Sequence, residues 1–292
     1  MQKKSTIIRD IPSDVPEQMH DLYTQNMQTL FGTNGSCIIF AFDQKLEHAA
    51  TDFIGESIDD KAAEPTHAFA IASASPINAF ATHLGLIARY AQAYPELAYI
   101  AKLNGKTNIL NKDVGDPISR QLWSIDDVLQ LKEQNVNIIG IGSTIYLGSE
   151  HESIMLQEAA QCINQAHEQG LVAIIWAYPR GTSVPHERDP LIIAGAAGVA
   201  ASLGADVVKI NPPDAKDGKS SEAWLKEIVK AAGNTNVICA GGPQKDASAF
   251  ITDVMTYKKA GVKGIAVGRN LFQRSHNEAV ALAEKLHAAL NA

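Results

Sequence analysis

ADVVKINPP, residues 205–213, is the stretch that decides the fold. A lysine stands in a short run of β-branched residues, and the run ends at once in Asn211 and two prolines. Val207, Val208 and Ile210 favour a strand, and a continuous apolar run means burial on both faces, the habit of parallel sheets. Side chains alternate along a strand, so Lys209 shares a face with Val207 and Asn211 while Val208 and Ile210 point the other way. One face of such a strand meets an apolar helix layer. An unpaired ammonium there would cost on the order of several kcal/mol or lose its proton. Lys209 is therefore expected to point into the interior of the sheet.

The same pattern extends in both directions from this stretch. Runs rich in Val, Ile and Ala occur at 37–43 (CIIFAFD), 77–82, 97–103, 137–142, 172–178, 207–211, 237–241 and 264–268. Helical candidates lie between them near 57–72, 85–93, 124–135, 150–168, 190–203, 220–232, 245–260 and 275–290. Ser124 and Ser220 precede acidic first turns, and Pro190 suits a first helical turn, where its missing N–H costs nothing. Strands alternating with helices imply parallel crossovers. An open doubly wound sheet gives the same alternation, but eight consecutive units in one composition regime favour closure into a (β/α)8 barrel, an α/β fold. The second strand is the least defined, because residues 66–82 read equally well as helix. Residues 1–36 form an N-terminal extension with a helix from Pro16 to Phe31, and 37–292 form the barrel, the expected catalytic domain.

Composition narrows the function. The chain has 292 residues, 46% hydrophobic and 20% charged, with a net charge of −7. No Lys/Arg block stands out, which argues against a nucleic-acid footprint. No run approaches the ~20 apolar residues needed to cross a bilayer, and no apolar segment follows Lys3 and Lys4. A cytoplasmic protein with no membrane or nucleic-acid partner is expected. Cys37, Cys162 and Cys239 are widely spaced among apolar residues and read as buried reduced thiols. The nine histidines contain no HxH or HExxH pair, and His48 beside Glu47 is not a ligand set, so neither a metal nor another cofactor is expected.

Active sites of such barrels lie at the C-terminal ends of the strands. Polar residues that interrupt the apolar runs there are the candidates: Asp43, Lys102 and Asn104, then Trp176, Tyr178 and Arg180, then Lys209 and Asn211. A desolvated lysine sheds its proton and becomes a nucleophilic amine, which condenses with a ketone to an iminium. That electron sink permits cleavage of the neighbouring carbon–carbon bond. Tyr178 on the adjacent strand suits the acid/base role, and Asp43 the proton of a substrate hydroxyl. The last two strands end in CAGGPQ and AVGRNLF, where Gly241, Gly242 and Gly268 allow close backbone approach and Arg269 adds a charge. Loops after these strands are the usual phosphate cradle of the fold.

Taken together, FDQKLEH, KLNGKTN, WAYPRG, ADVVKINPP, the GGP turn and GIAVGRNLFQR resemble the archaeal-type class I fructose-1,6-bisphosphate aldolases, a family also found in bacteria. The match covers roughly residues 37–275, with the motifs in the family's order. It implies a Schiff-base lysine at Lys209, an acid/base tyrosine at Tyr178, its pocket neighbour at Trp176 and a carboxylate at Asp43. His48 matches the histidine of the first loop motif. Arg180 and Lys216 fall where the family contacts the far phosphate, and Gly241, Gly242, Gly268 and Arg269 where it binds the near one. The resemblance implies reversible cleavage of fructose 1,6-bisphosphate into dihydroxyacetone phosphate and glyceraldehyde 3-phosphate by a homo-oligomer. Ala240 departs from the pattern, standing where many members have a serine before the paired glycines, and the extension is longer than in compact members. A related enzyme acting on another phosphorylated keto-sugar, and a non-catalytic sugar-phosphate-binding barrel, are the competing readings.

Overall fold

The computed structural model describes residues 11–109 and 115–291; the first ten residues of the expected extension, Lys3 and Lys4 among them, lie outside the described residues. Eight parallel strands close into a barrel: β1 (Cys37–Ala41), β2 (Ala79–His83), β3 (Tyr99–Lys102), β4 (Ile138–Leu147), β5 (Val172–Pro179), β6 (Val207–Ile210), β7 (Asn236–Ala240) and β8 (Gly264–Val267). Each pairs with its neighbour in sequence and β8 returns to β1, with helices between them on the outside. The chain is a (β/α)8 barrel.

The two faces of β6 separate as the alternation requires. Val208 and Ile210 join the apolar layer between sheet and helices, whereas Val207 lies inside with Ile39, Ile100, Ile174, Trp176 and Ile238. Lys209 is on the inner face and only 4% exposed.

Helix starts follow the capping signals. Ser124 and Asp127 form a reciprocal capping box, Ser220 accepts from the Ala223 N–H, and Pro190 opens its helix behind the Asp189 cap. Two boundaries differ from the sequence reading. The helix expected over 57–72 begins only at Pro65 and runs to Ala74, because a proline is accommodated at the first turn and not inside. The ambiguous stretch 66–82 is helix and then strand. Further along, β4 continues to Leu147 instead of stopping at Gly142, since it pairs with β5 from Gly140–Val172 through to Leu147–Pro179. That extra length carries Thr144 and Tyr146 to the mouth of the barrel.

The opposite end is closed by a helix, α1 (His20–Phe31). Tyr23, Met27, Leu30 and Phe31 join the inner apolar cluster. Burying each such side chain contributes about 1.5–3 kcal/mol. Asn26 also donates to the Gly170 carbonyl at 2.8 Å, and Tyr23 donates to the Asp206 carboxylate. Among the described residues no helix is long and apolar enough to cross a membrane.

Candidate active site

A cavity of about 520 Å³ opens at the C-terminal ends of the strands. Lys209 reaches it from β6, Tyr178 and Arg180 from the end of β5, and Asp43 from the turn after β1. The Lys209 Nζ lies 5.3 Å from the centre of the Trp176 ring and 5.6 Å from that of Tyr178. Among the described residues it has no hydrogen-bond or ion-pair partner. Burial lowers its pKa, with Asp43 and Glu47 opposing and Arg269 adding to the fall. Burial pushes the Tyr178 phenol well above the ordinary tyrosine range, reinforced by Asp43 and Glu47, so it holds its proton and can donate it.

Trp176 does not line the cavity. Its indole lies beneath it, 1% exposed, and crosses β4 at Gly142. A Cβ on Gly142 would stand 2.2 Å from the Trp176 ring, so only glycine lets the indole lie there. Lys102 Nζ also approaches the ring, 5.5 Å from its centre; this lysine is fully buried, bonded to Glu47 and 3.9 Å from Asp43 Oδ2. Burial acts to raise the Glu47 carboxyl, but Lys102 and His83 hold it down at about 2. Asn104 fixes this corner: its side chain accepts from the Thr144 N–H at 2.7 Å and donates to the Thr144 carbonyl at 2.8 Å.

The remaining candidates form two walls. On one, Gly268 leaves no room for a side chain, since a Cβ would stand 2.8 Å from the Ala41 backbone carbonyl oxygen. Gly242 has a left-handed backbone (φ +68°), and Gly241 ties the turn to Ala266 O at 2.9 Å. Asn270 joins the two glycine loops by donating to Gly241 O and Pro243 O at 3.0 and 2.9 Å. Arg269 approaches Asp52 at 3.6 Å, and the same carboxylate bonds His48. The opposite wall carries Arg180, held by Glu187 at 2.7 and 3.0 Å. Lys216 is not brought to the cavity: it bonds Asp189 at 2.6 Å, as part of the loop before the next helix. Among the described residues no three of His, Cys, Asp and Glu gather as a metal-binding group.

Three residues at this end were not singled out by the sequence. Tyr146 lines the cavity, but it lies four residues beyond Gly142, where the apolar run of β4 ends in the sequence. His83 is the last residue of the poorly defined second strand. Glu47 did carry a signal, because it follows Asp43 by four residues and one helical turn brings such a pair onto the same face.

The chain as a whole is similar to known proteins. Residues 37–274 match the family model described as DeoC/LacD family aldolase. The chain belongs to the DeoC/LacD family of aldolases. It is 46% identical, over 95% of its length and 89% of the relative's, to a fructose-bisphosphate aldolase/6-deoxy-5-ketofructose 1-phosphate synthase of Methanocaldococcus jannaschii. The solved fructose-bisphosphate aldolase of Slackia heliotrinireducens superposes with a TM-score of 0.95 at 42% identity, covering 99% of this chain and 92% of that one. An archaeal fructose-1,6-bisphosphate aldolase, solved with its catalytic lysine covalently bound to the carbinolamine intermediate, superposes with a TM-score of 0.78 at 30% identity, covering 92% and 100%. As a DeoC/LacD family aldolase this protein is a lyase.

Proposed function

We propose that the protein is a class I aldolase that reversibly cleaves fructose 1,6-bisphosphate to dihydroxyacetone phosphate and glyceraldehyde 3-phosphate. The observation that carries this reading is Lys209, a buried amine facing the cavity with no carboxylate bound to it, between two walls that bear arginines. Its neutral form attacks the C2 ketone to give a carbinolamine, and loss of water leaves an iminium. Tyr178 supplies and recovers the protons of those steps, and Asp43 takes the C4 hydroxyl proton as the C3–C4 bond breaks. The electron pair passes into the iminium as an enamine, which is protonated and hydrolysed to release dihydroxyacetone phosphate. Gly241, Gly242, Gly268 and Arg269 would receive the phosphate of the retained ketose half, with His48 orienting the Asp52–Arg269 pair. Arg180 would face the far phosphate. The test is borohydride reduction in the presence of dihydroxyacetone phosphate, followed by peptide mapping. A mass increment on Lys209 is expected, and labelling elsewhere or not at all refutes the assignment.

A second substrate reading has support at the distal wall. Arg180 is held by Glu187 and Arg188 lies 2.9 Å from Asp214, so the arginines there already have carboxylate partners. A product phosphorylated only at C1, such as the 6-deoxy-5-ketofructose 1-phosphate in the name of the Methanocaldococcus relative, makes no demand on that wall. Steady-state rates with fructose 1,6-bisphosphate and with unphosphorylated short aldehydes as acceptors separate the two. Comparable kcat/KM for cleavage of the bisphosphate and for addition to such aldehydes would mean that one site serves both reactions.

A further inference from the structure

The proposed mechanism leaves a second lysine inside the barrel without a task. Lys102 ends β3, and its side chain is 0% exposed. A buried ammonium is costly unless it is paired. Its Nζ bonds the Glu47 carboxylate, lies 3.9 Å from Asp43 Oδ2, and is 3.4 Å from the Asn104 carbonyl. It is also 5.5 Å from the centre of the Trp176 ring, which has Lys209 at 5.3 Å. Two carboxylates and two lysines thus share one interior, and both carboxylates lie within 4.0 Å of Lys102.

That division has a chemical consequence. Lys209 must be free of its proton to attack a carbonyl, and a carboxylate close by holds the proton in place. The groups around Lys209 are Asp43 and Glu47 after β1, Tyr146 at the end of β4, Trp176 and Tyr178 on β5, and Arg269 after β8. His83 on β2 acts only through Glu47, at 3.5 Å. We propose that Lys102 is a positioning residue: by engaging Glu47 and Asp43 it prevents either from becoming the counter-ion of Lys209, and so leaves Lys209 to react as an amine. The inference rests on the reading of Lys209 as the nucleophile.

The test is the rate at which cyanoborohydride traps dihydroxyacetone phosphate on Lys209 of the full-length protein, read by mass spectrometry and peptide mapping across a pH series. In Lys102→Met the two carboxylates are left to Lys209, and the pH of half-maximal trapping rises by about one unit or more. Activity lost at neutral pH then returns in alkaline buffer. In Glu47→Gln one carboxylate is gone while Lys102 keeps its charge, so the midpoint moves down. Combining the two substitutions brings it back toward the wild-type position. A merely architectural role would lower the plateau in each variant and leave the midpoint unmoved. An unmoved midpoint in folded Lys102→Met overturns the proposal, as does an unmoved midpoint in Glu47→Gln should the lysine variant fail to fold. If the wild-type protein is not trapped at Lys209, the nucleophile is misassigned and this inference falls with it.

Discussion

Both ends of the barrel bury a cluster of polar and charged side chains, and they differ in how completely those groups are paired. At the floor, the Asp206 carboxylate accepts from the Tyr23 hydroxyl, from the Ala173 N–H at 2.7 Å and from His167 Nε2 at 3.1 Å. His167 Nδ1 in turn meets Asp14 at 2.9 Å, so both ring nitrogens face carboxylates, the arrangement an imidazolium satisfies. At the mouth, Lys209 has no partner among the described residues, and the indole N–H of Trp176 and the Nδ1 of His83 are buried without a hydrogen bond. A closed network adds rigidity and stability, whereas unpaired buried groups are expensive. Their concentration at one end marks where the fold gives up stability for chemistry.

The two ends differ most at Lys209. Lys209→Met should abolish cleavage and covalent trapping while leaving the denaturation midpoint unchanged or higher, because an apolar side chain replaces a desolvated amine. A clear loss of stability in that variant would make Lys209 a structural residue like those of the floor. Tyr178→Phe keeps the ring and removes only the hydroxyl. Its kcat should fall by about 10²–10⁴-fold with little change in stability, and slow trapping on Lys209 should persist. A near-wild-type kcat would remove Tyr178 from the proton path.

Changes at the floor should act the other way. Asp206→Asn deprives His167 and Tyr23 of a buried anion and should lower unfolding free energy by about 3 kcal/mol. Turnover per folded molecule should hardly change; a selective loss of kcat would tie the floor to catalysis. The floor should also show a pH dependence. Burial acts to lower the His167 pKa, but Asp206 and Asp14 raise it to about 9 in the folded protein, against about 6.5 unfolded. A group raised on folding binds its proton more tightly in the native state. Its stabilisation is therefore complete below about pH 6.5 and lost as pH rises through about 9. Denaturant midpoints should decline over that window, and His167→Gln should flatten the decline.

Much of this contrast is legible along the chain, though unevenly. Lys209, Tyr178, Asp43, Arg180, Arg269 and the paired glycines all interrupt apolar runs at strand ends, and all reach the cavity. Lys216 was drawn in by resemblance alone, and the local loop instead binds it to Asp189. Tyr146 lay beyond an apparent strand end, because pairing with β5 extends β4 further than its own apolar run announces. The floor cluster gave no signal, since Asp14, Tyr23, His167 and Asp206 are isolated polar residues scattered along the chain.

The eight units, and the face that each strand residue occupies, are local properties of the chain. Both follow from short-range rules: capping, the 3.6-residue helical repeat and the two-residue period of a strand. The inward direction of Lys209 is of this kind. Which charges meet inside was decided only by barrel closure. Glu47 and Lys102 are 55 residues apart, and Asp14 and His167 are 153 apart. Neither pairing has a local period to announce it. Whether a buried ion stabilises the protein or serves its chemistry depends on what stands opposite, and only the folded chain brings that partner within reach.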